Sequence, residues 1–241
     1  MAGTNPPKPH LVVLTGAGIS AESGIKTFRD SDGLWENYRV EDVATPGAFA
    51  KDPAMVNRFY NERRRQVAAA RPNAAHKALA ELEKDFRVTI ITQNIDDLHE
   101  RAGSSKVLHL HGEIFKKRSA RQHHDDRQAV PVHDDIPEGD KAPDGGLWRP
   151  HIVWFGEDVP TIALAVDLVS RADALLVVGT SLQVYPAAGL IHYVKPGAPK
   201  MLVDQNIPLI HDRGNWTFFA RPATEGLPLA AEKLKELTAG W

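Results

Sequence analysis

The chain has 241 residues, with 29 Lys+Arg against 31 Asp+Glu, 42% hydrophobic residues and no cysteine. That length and composition suit one large globular domain, or a main domain with a small insertion, and exclude wholesale disorder. A net charge of −2 argues against a basic nucleic-acid footprint, and the lack of cysteine rules out disulfides, a thiol nucleophile and cysteine-ligated zinc or iron–sulfur sites.

No run reaches the ~18 apolar residues of a membrane span. Met1–Pro9 lacks the apolar core of a secretory signal, so a cytoplasmic protein is expected. In chain order, Leu11-Val12-Val13-Leu14 stands between Pro9 and Gly16 and reads as a strand buried on both faces. A helix is expected over Ala54–Ala70. Asn73 reads as the N-cap of another, in which Ala75, Ala78, Leu79 and Leu82 keep helical spacing. Val88–Ile91 is a second strand, and Val107–His111 alternates so that His109 and His111 share one side. From Lys116 to Leu147 the chain is polar and aperiodic, which reads as an insertion or reduced subdomain. Thr161–Arg171 and Pro228–Leu237 read as helices, Leu175–Val178 and Met201–Val203 as strands. Strands alternating with helices imply an α/β, doubly wound parallel sheet with a smaller inserted lobe.

Gly16-Ala17-Gly18-Ile19-Ser20-Ala21 follows the first strand and fits a G-x-G-x-x-G/A pattern. Its glycines let backbone approach a pyrophosphate, and a following helix N-terminus would favour that charge. The same turn serves equally as a tight strand–helix junction. No acidic ribose-binding residue ends a second strand ~20 residues on; the turn runs into Thr27-Phe28-Arg29-Asp30 instead. Gln93-Asn94-Ile95-Asp96 and Gly179-Thr180-Ser181 end two further strands. Such residues ordinarily make turns, yet polar loops at the carboxyl ends of parallel strands converge on one cleft. His111 is the residue type for a general base near neutral pH, although a His in an apolar stretch is more often a bonded core residue. Tyr60 and Arg63 share a helix face, and a hydroxyl beside a guanidinium fork suits a carboxylate. The alternative is a solvated basic face that includes Arg64 and Arg65.

Together with His111-Gly112 and Trp154-Phe155-Gly156-Glu157, these motifs occur in the order and approximate spacing of the sirtuins, the NAD-dependent protein-lysine deacylases, and the chain resembles that family from about His10 to Leu237. It is most similar to the bacterial class III branch, whose Tyr-x-x-Arg element is matched by Tyr60-Asn61-Glu62-Arg63 and goes with succinyl- and malonyl-lysine. The resemblance implies a single catalytic domain over 1–241. Its Rossmann-like part would take about 10–30, 73–112 and 148–241, and its small lobe about 31–72 and 113–147.

The resemblance also implies NAD, with its pyrophosphate on Gly16, Ala17, Gly18, Ser20 and Ala21 and its adenosine near Gly179, Thr180 and Ser181. Glu22, Thr27, Phe28, Arg29 and Trp35 would complete the cofactor contacts, with Phe28 over the nicotinamide ribose. Gln93, Asn94, Ile95 and Asp96 would hold the nicotinamide end. Asp204-Gln205-Asn206 and Ala223 match adenosine contacts, Asp204 standing where the family usually has Asn. The acyl oxygen would displace nicotinamide and His111 would deprotonate a ribose hydroxyl, giving O-acyl-ADP-ribose; Asn94 and Asp96 would assist. Val153, Trp154, Phe155, Gly156 and Glu157 would pair with substrate backbone, and Tyr60 and Arg63 would select acidic acyl groups without excluding acetyl.

Family members generally carry four cysteines around a structural zinc. This chain has none, Ser119 standing roughly where the first would be, so no zinc is expected. His123, His124, Asp125, Asp126, His133, Asp134 and Asp135 offer N and O atoms, but such loop residues are usually solvated and no metal site is assigned. The partners implied are acylated lysine side chains of proteins, not a membrane or a specific nucleic acid. An NAD glycohydrolase or ADP-ribosyltransferase on the same cleft would have less use for Tyr60, Arg63 and the 153–157 strand, and a non-catalytic NAD or acyl-lysine binding module would not require His111, Asn94 and Asp96 together.

Overall fold

The computed structural model describes residues 7–26, 34–35, 38–122, 128–211 and 214–238. Thr27, Phe28, Arg29 and the run His123–Asp126 therefore lie outside the described residues, and Trp35 is described only as part of a short strand. Along the chain, β1 (His10–Thr15) leads into the single turn α1 (Gly18–Ala21), the two-residue strands β2 (Leu34–Trp35) and β3 (Tyr38–Arg39), and the helices α2 (Val40–Val43), α3 (Pro46–Lys51), α4 (Pro53–Ala69) and α5 (Ala74–Glu81). Next come β4 (Arg87–Thr92), α6 (Leu98–Arg101), β5 (Val107–His109), β6 (Gly112–Ser119), β7 (Val130–Pro131) and β8 (Trp148–Ile152). The chain ends with α7 (Ile162–Ser170), β9 (Ala174–Val178), β10 (Lys200–Val203), β11 (Trp216–Phe219) and α8 (Ala223–Thr238). Among the described residues no helix is long and apolar enough to cross a membrane.

Six strands form one parallel sheet in the order β11-β10-β9-β1-β4-β5. Leu11 and Val13 face one layer, with α5 and α8; Val12 and Leu14 face the other, with α7. Burial on both faces is why these strands read as unbroken apolar runs. The helices start as their sequences dictate. Asp52 caps α4 by accepting from Met55 N–H, ahead of Pro53, and Asn73 forms a capping box with His76 on α5. Helix α8 begins at Ala223, with Pro228 inside it, rather than at the proline.

The smaller part departs from expectation. A three-stranded antiparallel sheet, β7-β6-β8, packs against α4 around Phe49, Phe59, Tyr60, Ile114, Ile152 and Trp154. Lys116–Ser119 thus belongs to a regular strand, and Lys141 bridges Leu147, so the polar segment is not structureless. Trp148–Ile152, placed above in the larger part, pairs with β6 and belongs to the small sheet. Nor is there a solvated basic face on α4. Arg63 and Arg64 are buried; Arg64 donates from Nε to the Ile114 carbonyl (2.9 Å) and from Nη1 to Asn61 Oδ1 (2.7 Å). Of the three, Arg65 alone is exposed, paired with Asp135.

Candidate active site

Strand order reverses at β1: the chain proceeds to β4 and β5 on one side and later to β9, β10 and β11 on the other. Ligands of open parallel sheets bind at such a switch point, beyond the carboxyl ends of the strands. Here the loops after β1 and β9 touch. Gly16 N–H donates to the Val178 carbonyl (3.1 Å) and Gly18 N–H to that of Gly179 (2.9 Å). A Cβ on Gly18 would lie 2.7 Å from Gly179 Cα, and one on Gly179 (φ +63°) 2.3 Å from Ile19 N, so only bare backbone fits. The glycines therefore serve loop packing first. Because α1 is a single turn, it offers a phosphate no summed helix dipole, and the N–H groups of Gly16, Gly18, Ile19 and Ser20 are already bonded to backbone carbonyls.

Beneath this seam lies a buried hydrogen-bonded network. Asn94 Nδ2 donates to the Gly16 carbonyl (3.2 Å) and to Ser20 Oγ (3.1 Å), while Ser20 Oγ donates to Asp96 Oδ2 (3.0 Å). Asp96 also accepts from Leu98 N–H at 3.1 Å, and its burial pushes its pKa above the usual carboxylate range. Thr15 Oγ1 donates to Thr92 Oγ1 (2.8 Å) and meets His99 Nε2 (3.0 Å). His76 Nε2 reaches Ser20 Oγ at 3.4 Å. Burial alone lowers the His76 pKa to about 4, and burial, with His76 and His109 nearby, drives that of His99 well below normal, so both are neutral. Neither was singled out from the sequence. The only trace was the Asn73-x-x-His76 spacing of a capping box.

Three predicted residues meet at the adjoining loop. Gln93 Nε2 donates to Thr180 Oγ1 (3.1 Å), joining the ends of β4 and β9. The Ile95 carbonyl accepts from Ile114 N–H (2.8 Å), joining the loop to the small lobe. Half-buried His111 donates from Nδ1 to the Gln93 carbonyl (3.0 Å). A carbonyl can only accept, so that nitrogen carries the proton and Nε2 keeps its lone pair. Burial lowers the His111 pKa, partly offset by the Gln93 bond, which leaves a neutral imidazole at pH 7. Gly112, at φ +82°, has no room for a Cβ, which would stand 2.0 Å from the His151 carbonyl oxygen.

Tyr60 and Arg63 lie together on α4, both buried; Trp154 Nε1 donates to the Tyr60 hydroxyl (2.9 Å). Burial raises the Tyr60 pKa far above its ordinary value, so the phenol is protonated. Trp154 in turn lies on the Arg149 guanidinium, 3.2 Å from its ring centroid. The segment Val153–Glu157 is a turn rather than the expected edge strand. Val153 N–H donates to the His111 carbonyl, Phe155 N–H to that of Ala44, Trp154 N–H to Glu157 Oε2 and Glu157 N–H to the Trp154 carbonyl. Gly156 turns it at φ +89°, and Phe155 remains 50% exposed. Glu157 faces inward: it binds Arg149 through both oxygens (2.6 and 2.9 Å) and Arg118 (3.2 Å).

The remaining candidates border the cleft. Asp204 follows β10 and caps Asn206 N–H (2.8 Å), with Gln205 and Asn206 exposed beside it. Ala223 is buried at the start of α8, and Glu22 clasps Thr224 through N–H (3.1 Å) and hydroxyl (2.5 Å). Ala17 and Ala21 are exposed, Thr180 is buried and Ser181 is half-buried. Among the described residues no three His, Cys, Asp or Glu side chains gather to hold a metal. The donor set as a whole, bare glycine backbone with amides, hydroxyls and one open imidazole, fits the phosphates and ribose hydroxyls of a dinucleotide.

Comparison with known proteins agrees. A profile described as the Sir2 family matches residues 16–186. An NAD-dependent protein deacylase of Bacteroides thetaiotaomicron is 52% identical over 231 residues, spanning 95% of this chain and 97% of that protein. One from Aggregatibacter actinomycetemcomitans is 57% identical over 83% of this chain and 94% of its own length. Among solved structures, a Sir2 homologue–NAD complex superposes with a TM-score of 0.84 at 41% identity, covering 95% of this chain and 91% of that one.

Proposed function

The chain belongs to the Sir2 family, and on that premise we propose that it is an NAD-dependent protein-lysine deacylase accepting succinyl, malonyl and acetyl groups. The observation that carries this reading is His111, whose Nδ1–H is fixed on the Gln93 carbonyl while Nε2 stays free to take a proton. Bound NAD supplies an electrophilic ribose carbon and the ribose hydroxyl that accepts the acyl group. His111 accepts that hydroxyl's proton at Nε2, and the Gln93 carbonyl steadies the imidazolium that results. Asn94 and Asp96, locked through Ser20, hold the nicotinamide end of the cleft. The Gly16–Ala21 turn takes the pyrophosphate, and Gly179, Thr180 and Ser181 the adenosine side.

The lysine chain enters beside Phe155, which offers an apolar seat with little dependence on peptide sequence. Backbone pairing there is limited, because Val153, Trp154, Phe155 and Glu157 already spend their N–H groups internally. An acidic acyl group gains from Tyr60 and Arg63 charge-assisted hydrogen bonds of about 1.5–3 kcal/mol net. The reading sets the protein in the cytoplasm, where NAD and acylated proteins meet.

The test is incubation with NAD and a succinyl-lysine peptide, an acetyl-lysine peptide or no peptide, following nicotinamide and deacylated peptide together. One-to-one, peptide-dependent formation of both is expected, with the succinyl peptide favoured. His111→Ala should cut turnover by about 10²–10⁴-fold while NAD still binds. Nicotinamide release without peptide would make the protein a glycohydrolase, and turnover surviving in His111→Ala would remove His111 as the base.

A further inference from the structure

Two histidines, two residues apart, grip two consecutive carbonyls of the same loop: His111 Nδ1 meets the Gln93 carbonyl at 3.0 Å and His109 Nδ1 meets the Asn94 carbonyl at 3.0 Å. Their far nitrogens differ. That of His111 is open, whereas His109 Nε2 lies 2.8 Å from Glu100 Oε1. Both partners of His109 are pure acceptors, so both of its nitrogens must carry protons, and the ring is an imidazolium balanced by Glu100. We propose that His109 and Glu100 form a charged positioning pair that clamps the loop carrying Asn94 and so holds the cleft in its working geometry. The inference rests on the deacylase reading of Asn94 and His111.

The setting supports the charge. His109 is the last residue of β5, and its own carbonyl is pinned by Thr161 Oγ1 (3.2 Å). The titratable and charged groups facing it are Glu100 and the neutral His99 of α6, Glu113 of β6 with its ion-pair partner Lys116, and Asp96 of the clamped loop. Burial opposes the charge on His109, but the bond to Glu100, the charges of Glu100 and Glu113 and the Asn94 carbonyl outweigh it and raise the pKa. The Glu100 pKa is lowered: burial raises it, but the bond and charge of His109 outweigh burial. The clamp is therefore complete below the raised pKa of His109 and released as pH climbs through it, which puts the loss on the alkaline side.

Histidine side-chain ¹⁵N NMR, read alongside the pH profile of kcat, tests this. In the wild type at pH 7, His109 is expected to be doubly protonated and His111 neutral with the proton on Nδ1. The Glu100 side chain is 41% exposed, so Glu100→Gln leaves the fold intact. It should lower the His109 pKa by about one unit or more and move the alkaline limb of kcat down equally. His109→Gln should lower kcat by about ten-fold or more, leave KM for the acyl peptide nearly unchanged, and remove the effect of Glu100→Gln on the alkaline limb. A neutral His109 at pH 7, or an alkaline limb indifferent to Glu100→Gln, overturns the proposal. Since the NMR reading needs no turnover, an inactive wild type with a charged His109 would count against the deacylase reading and not against the clamp.

Discussion

The two parts of this molecule bury different polar side chains: among the described residues, buried guanidiniums occur only in the smaller part. Under the carboxyl ends of the parallel sheet the interior polar groups are hydroxyls, an amide, imidazoles and one carboxyl: Thr15, Ser20, Thr92, Asn94, His76, His99 and Asp96, whose pKa burial raises. In the small lobe four guanidiniums, Arg63, Arg64, Arg118 and Arg149, join the amides of Asn57 and Asn61, the Ser119 hydroxyl and His151, with half-buried Glu157 between Arg118 and Arg149. A network of amides and hydroxyls fixes direction through donor and acceptor geometry alone. A charged network holds more tightly but fails abruptly when one partner goes, because the survivor is left buried and uncompensated. The lobe interior leans positive, as a pocket for acidic acyl groups would.

Removing the lobe's carboxylate is the harshest test of that contrast. Glu157→Ala strips Arg149 of two hydrogen bonds and Arg118 of one, and frees the Trp154 N–H that Glu157 also holds. The expected cost is about 3–5 kcal/mol, read as a fall in the urea midpoint. A loss below about 1 kcal/mol would mean that these guanidiniums find water, and the lobe would then resemble the sheet side after all.

Acid should separate the two regions next. His76 titrates at about 4 in the fold against an ordinary 6.5, and His99 is lowered as well, so between those values the unfolded chain binds protons that the native state refuses. Stability from His76 is then complete above pH 6.5 and lost as pH falls toward 4, up to about 3 kcal/mol. Glu157, whose pKa is lowered by Arg149 and Arg118 against the opposing effect of burial, weakens the lobe only at lower pH. Chemical denaturation at intervals from pH 7.5 to 4 should show this slope, and His76→Gln should flatten it. An unchanged slope in that variant would show that His76 takes up its proton without unfolding.

The same contrast explains what the sequence disclosed. β1, β4, β9 and β10 were readable because each is apolar on both faces. β11 was missed: Trp216–Phe219 is half-buried at the sheet edge, four residues long and headed by polar turns. The lobe strands hide because β6 and β8 carry Lys116, Lys117, Arg118 and Arg149 inside an antiparallel pair, and no periodicity marks a guanidinium whose partner lies far along the chain. On the site side, the glycine turn and His111-Gly112 were legible as motifs. His76 and His99 were not, since a buried histidine satisfied by a hydroxyl looks like any other helix residue. The segment Val153–Glu157 misled because Glu157 reads as a surface charge until Arg118 and Arg149 are seen around it.

The smallest effect concerns Ser119, at the end of β6. Its hydroxyl donates to Asp144 Oδ1 (2.8 Å) and accepts from Arg121 N–H (3.2 Å); Gly146 N–H donates to the same Asp144 oxygen (2.9 Å), and Arg121 Nη1 reaches the Asp144 carbonyl (2.6 Å). Four bonds thus close the loop back onto β6. Gly146 is packed so close that a Cβ there would lie 2.3 Å from Ser119 Oγ. Asp144 is exposed, so water replaces the lost donor when Ser119 becomes Ala, and the cost should be about 1 kcal/mol. The loss should also be local. Amide exchange should quicken at Gly146 and at Ala120, which donates to the Leu147 carbonyl, while the amides of β1 and β4 keep their protection. Quickened exchange throughout the parallel sheet would instead mean that the clasp stabilises the whole chain. The neutral and charged halves would then form one cooperative unit, and the difference between them would be one of chemistry without being one of stability.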